Sequence, residues 1–172
     1  MPPALKDAAD VQAAAAQLIA RPGFNDWTYQ GLHNADHESL VIVTESDASR
    51  RLLRGAEACA RGRFAWGYGG TGPHALAEVL ILDILDDHVH CPACLGGSVC
   101  GASLITCPAC GDSGQRAGIS WAAETLVEKA ISGMPQAESW ELSRRHMLTQ
   151  VAQQPRPRDK LRRLRRRRKH SY

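Results

Sequence analysis

Lysine is scarce in this chain, with 4 against 17 arginines, and only nine of 172 residues are aromatic. With so few rings, the four tryptophans Trp27, Trp66, Trp121 and Trp140 are expected to anchor the core. No apolar run approaches the roughly 20 residues a membrane-spanning helix needs. The first twenty residues carry Lys6, Asp7 and Asp10 and lack a basic segment before an apolar one, so they do not read as a signal peptide. Enzyme signatures are also missing. No G-K-[ST] ends a phosphate loop, no H-x-E precedes a P-C-x-x-C deaminase site, and His33-Asn34 with His37 lacks the ββα spacing of an HNH nuclease.

Against these absences stand two matching knuckles. Cys91-Pro92-Ala93-Cys94 and Cys107-Pro108-Ala109-Cys110 are separated by twelve residues. Two cysteines three apart can face one ion from a single tight turn, and Zn²⁺ favours soft thiolates in a tetrahedron. The spacing predicts one structural zinc held by Cys91, Cys94, Cys107 and Cys110. Four thiolates leave no open position for water, which argues against catalytic zinc. A redox dithiol fits less well, since C-P-A-C here lacks the strand-to-helix setting of a thioredoxin motif. His88, His90 or Cys100 could replace a thiolate, though a loop role is the simpler reading. Cys59 is expected to be a small buried residue. Cysteines held on metal fit a reducing compartment, so the cytoplasm is expected.

Charge divides the chain sharply. Residues 155–172 carry ten basic side chains, Arg156, Arg158, Lys160, Arg162, Arg163, Arg165, Arg166, Arg167, Arg168 and Lys169, against one acid, Asp159. The other residues carry eleven bases and seventeen acids. The tail is too charged to fold alone and is expected to be a disordered arm. Ten cations on such an arm would release counterions from the phosphate backbone of DNA or RNA without reading sequence. Docking on the acidic body, or solubility alone, are the other readings. Tyr172 is its only aromatic residue, which argues against base stacking.

The remaining patterns predict an α+β fold: a small sheet of short strands packed on a buried central helix and two further helices. Residues 1–24 read as an N-terminal helix (7–20) capped by Asp7 or Asp10, with a thin apolar stripe that should pack weakly. Residues 25–154 form the α+β domain, with 88–115 as an inserted zinc hairpin and 155–172 as the tail. Strands are expected at Trp27–Gln30, Ser39–Thr44 and Arg63–Tyr68. Residues 48–62 are ambiguous and could hold a short helix broken at Gly55. Helices are expected over 73–86, 120–132 and 144–153, the first apolar nearly all round and hence central, the last capped by Ser143. Gly69-Gly70-Thr71-Gly72-Pro73 is expected to be a strand-to-helix turn. Its free helical N–H groups leave a phosphate-binding reading open, with His74 as the residue to watch.

The stretch Phe64-Ala65-Trp66-Gly67-Tyr68-Gly69-Gly70-Thr71-Gly72-Pro73, followed by Ala75-Leu76-Ala77, resembles the F-x-W-G-Y-G-G-[ST]-G-P signature of an uncharacterised small domain family of bacteria, plasmids and phages. Tyr29-Gln30-Gly31 and Trp140-Glu141-Leu142-Ser143 fit the same order, so the resemblance spans roughly 27–152. It implies a compact α+β domain and no assigned activity. The cysteine module and the arginine-rich tail depart from that pattern. The module itself is similar to half of the cysteine-rich region of DnaJ-type chaperones, or to a zinc ribbon. The first knuckle, followed by Leu95-Gly96-Gly97-Ser98, lacks the last glycine of the chaperone repeat, and the second, followed by Gly111-Asp112-Ser113-Gly114, is out of register with it. Only two of four repeats are present, and no J-domain precedes them. Three functions follow as expectations. The first is a non-enzymatic zinc-binding accessory protein tied to nucleic acid by its tail. The others are a protein-interaction module using the zinc hairpin, or an enzyme binding a phosphorylated ligand at the glycine turn.

Overall fold

The computed structural model describes residues 7–33, 39–53, 64–85, 117–135 and 139–155. In chain order the elements are α1 (Ala8–Ala20), β1 (Thr28–His33), β2 (Ser39–Thr44), β3 (Arg50–Leu52), α2 (Thr71–Ile84), α3 (Ala117–Leu126), β4 (Trp140–Ser143) and α4 (Arg144–Gln153). The sheet is antiparallel with strand order β3-β2-β1-β4, and the helices bury its inner face, so the expected α+β class holds.

Local chemistry explains most boundaries. Asp7 accepts from the backbone of Ala9 and Asp10, and Asp10 reaches back to the Asp7 N–H, a capping box that opens α1. Ser143 ends β4 and at once caps α4 by accepting from the His146 N–H at 3.0 Å. Gly67 requires its φ of +86°, a conformation in which a side chain would be strained. α2 is buried nearly all round: Leu76, Val79, Leu80, Ile81, Ile84 and Leu85 are each almost wholly covered. It is the central helix that the apolar run predicts.

Three expectations need correction. α1 does not pack weakly: Val11, Ala14, Ala15 and Leu18 are buried in the same core, against α4 and α3. Small alanines let the helices approach closely, so a thin stripe suffices. Gln12 strengthens the contact by donating to the carbonyls of Ala152 and Gln154, both at 2.7 Å, at the end of α4. The second correction concerns 48–62. Arg50–Leu52 is an edge strand rather than part of a helix, because Arg51 must turn inward to meet a buried acid. Residues 54–62 lie outside the described ones.

The third is the strand expected at 63–68, of which residues 64–68 are described. They form no strand. Phe64 and Trp66 are buried, which satisfies the alternation, but the backbone is tied elsewhere: the Gly67 N–H donates to the Ile131 carbonyl at 2.9 Å. That carbonyl closes a π-helical turn, Val127–Ile131, which continues α3 with an i→i−5 bond from Ser132 to Val127. Among the described residues, no helix is long and apolar enough to cross a membrane.

Candidate functional site

The four cysteines proposed for zinc, Cys91, Cys94, Cys107 and Cys110, lie outside the described residues, as do His88, His90, Cys100 and Cys59. The ten cations of the tail, 156–169, lie outside them as well. The structure does define the framework from which the cysteine segment departs. α2 ends at Ile84, α3 begins at Ala117, and the two helices pack on one another. Gly118, early in α3, sits so close to the Asp7 carbonyl that a Cβ would fall 2.3 Å from it. The start of α3 is therefore seated on the start of α1. Among the described residues, no group of three or more His, Cys, Asp or Glu side chains could hold a metal.

The glycine turn is fully described. Gly70 is the N-cap of α2, and no side chain caps it. The Tyr68 ring folds over Gly70, where a Cβ would stand 2.8 Å from the ring edge, and Tyr68 remains 41 % exposed. His74, the residue to watch, pairs with Glu78 one turn on, Nε2 to Oε1 at 3.1 Å. Pro73 removes one N–H from the first turn, and residues 64–85 contain no lysine or arginine. Among the described residues 64–85, therefore, no cation stands ready to assist phosphate binding at this helix start. What the turn visibly does is connect Trp66 in the core to the central helix.

Beneath the turn lies an aromatic cluster. His33 stacks on Trp66 with centroids 4.5 Å apart, and Trp66 meets Trp140 edge-on at 5.7 Å. Trp140 lies flat over Gly31, where even a methyl group would sit 2.1 Å from its ring. That close approach is the reason β1 carries glycine at this point. The Nε1 groups of Trp66 and Trp140 are buried with no acceptor among the described residues.

Among the described residues, a dense polar cluster at Asp83 is one that sequence reasoning missed. Asp83, 3 % exposed in the apolar half of α2, accepts from the Tyr29 hydroxyl at 2.6 Å and from both terminal nitrogens of Arg51, at 3.1 and 2.9 Å. Trp27 Nε1 donates to Tyr29, and Arg51 Nε donates to Glu45 at 2.7 Å. Burial, followed by the charge of Asp83, drives the Tyr29 pKa far above its usual value, so the phenol stays protonated. For Arg51, burial works toward a lower pKa, but the hydrogen bonds to Asp83 and Glu45 outweigh it and the guanidinium is held charged. Nearby, Arg144 lies over the Trp27 ring at 3.9 Å and donates to the carbonyls of Ile84 and Asn25, at 2.9 and 2.8 Å. This network joins β1 and β3 to α2, with Tyr29 and Asp83 buried and Arg51 and Glu45 half-buried, so it holds the fold together. One signal was available: an acid inside Val79–Leu85 must be neutralised once that helix is buried.

No curated protein and no solved structure matches the chain. Residues 29–93, which run from β1 past the end of α2, are similar to a family of unknown function, DUF6166.

Proposed function

We propose that this chain is a non-enzymatic, zinc-binding accessory protein that associates with nucleic acid through its basic C-terminal residues in the cytoplasm. One observation carries the reading: two C-P-A-C knuckles at finger-like spacing occupy the connection between a pair of packed helices. Cys91, Cys94, Cys107 and Cys110 would hold the ion, and its chemistry is structural, a closed thiolate tetrahedron without a reactive position. Residues 88–115 contain few apolar side chains, so metal would supply the free energy that ordering them needs, an apparent ~10–16 kcal/mol in small zinc modules.

The tail supplies the second half of the reading. Arg156 to Lys169 concentrate positive charge at one end of a chain whose other residues are net acidic. Attraction to phosphate is therefore assigned to the tail alone.

Elemental analysis of the purified protein should give one zinc per chain, lost when Cys91 and Cys107 are both changed to Ser. Mobility shifts with duplex DNA and with RNA should fall steeply as salt rises and vanish when residues 155–172 are removed. Absence of zinc sinks the first half of the reading. Binding that survives truncation, or ignores salt, sinks the second.

A further inference from the structure

β2 carries four consecutive apolar residues, Leu40, Val41, Ile42 and Val43. Val41 and Val43 enter the core, so Leu40 and Ile42 lie on the opposite face of the sheet. The register extends the patch, pairing Leu32 with Leu40 and Leu52 with Ile42. None of these four is buried, and none belongs to the core or to the half-buried side chains packed on it. Leu52 is 60 % exposed. An antiparallel strand with one wet face alternates apolar and polar residues, whereas an unbroken run is the pattern of a strand covered on both sides. Here the outer side is covered by none of the described elements.

The charges on that face identify what fits it. Reading across β3-β2-β1-β4, one row is Arg50, Thr44, Thr28, Ser143 and the next is Leu52, Ile42, Gln30, Glu141. The face thus has a cation at one edge and an anion at the other. Neither Arg50 nor Glu141 has an ion-pair partner among the described residues. A two-fold axis parallel to the strands, between β1 and β2, would lay β3 of one copy over β4 of the other. Rows would then face the same rows: Leu40 would cover the partner's Leu32 and Leu52 the stem of the partner's Glu141, whose carboxylate Arg50 would reach from the neighbouring row. A perpendicular axis would instead set each edge on itself, Glu141 against the partner's Glu141, a like-charge contact.

We propose that the outer face of the sheet is a homodimer interface, with a second copy of this chain as its occupant. The contact is isologous, which a self-complementary patch satisfies by construction. Strands of six, six, three and four residues make a face of roughly 300 Å². A standard interface covers about 800 Å² per side, so the dimer is weak and its population depends on concentration.

Sedimentation velocity of the full chain from about 5 µM to about 500 µM brackets this affinity range. The expected result is a rise from monomer toward dimer mass. Leu52→Glu and Arg50→Glu should each shift the midpoint at least several-fold to higher concentration, with circular dichroism unchanged. The double exchange Arg50→Glu with Glu141→Arg should restore association, because it rebuilds the same pair across the axis. A chain that stays monomeric throughout, because its own segments or a different protein cover the face, overturns the proposal. So does association that ignores the single changes, or a double exchange that fails to restore it.

Discussion

Asp83 stands where an apolar residue would suit α2 better, and it persists because three donors meet it at once. Removing its charge while keeping its shape, as in Asp83→Asn, leaves the half-buried Arg51 guanidinium with Glu45 as its ion-pair partner among the described residues. Breaking a buried pair from one side costs about 3–5 kcal/mol, and the lower figure applies here because Arg51 is partly wet. Urea unfolding should show that loss. Tyr29 makes a second prediction. The unfolded chain gives up the phenolic proton near pH 10.0, whereas the native state retains it well above that. From about pH 10 upward the native state binds more protons than the unfolded one, so each pH step favours unfolding. Stability should be insensitive to this group through neutral pH and should fall in alkali. Tyr29→Phe should flatten that decline, as measured by melting temperature against pH.

At the scale of elements, the parts written locally were readable in advance. Asp7 and Ser143 announce helix starts because a capping side chain lies within three residues of the donors it satisfies. Asp7→Ala and Ser143→Ala should each cost about 1 kcal/mol. The larger loss is expected at Ser143, where β4 passes directly into α4, and thermal denaturation can rank the two. What could not be read depends on distant partners. β4 is four residues long, and its strand identity comes from pairing with β1 more than a hundred residues earlier. Arg50–Leu52 is a strand only because β2 lies beside it and Asp83 lies beneath. Residues 64–68 alternate like a strand, yet their backbone is claimed by the π turn at Ile131. The candidate zinc ligands are legible because spacing in sequence is itself the motif, whereas the Tyr29–Asp83–Arg51 cluster joins residues 54 and 32 positions apart.

Taken as one molecule, the chain divides its labour. α1, α2, α3, α4 and the inner face of the sheet share a single apolar core. If the proposed zinc is bound by Cys91, Cys94, Cys107 and Cys110, chelating it should leave the near-ultraviolet signal of the buried tryptophans largely intact and raise proteolytic cleavage within 86–116. Loss of both together would mean that the two packed helices need the metal to meet. Limited proteolysis with and without chelator measures this directly.

The widened turn at Val127–Ile131 makes one further difference, to which changes of length the chain can absorb. A π turn holds one residue more than an α-helix of the same rise. Deleting a single residue there would let α3 wind regularly to its end, yet it would withdraw the acceptor that Gly67 needs. The glycine turn would lose its anchor although no side chain in it had changed. A one-residue deletion at this place therefore reaches the start of the central helix, some sixty positions upstream in the chain.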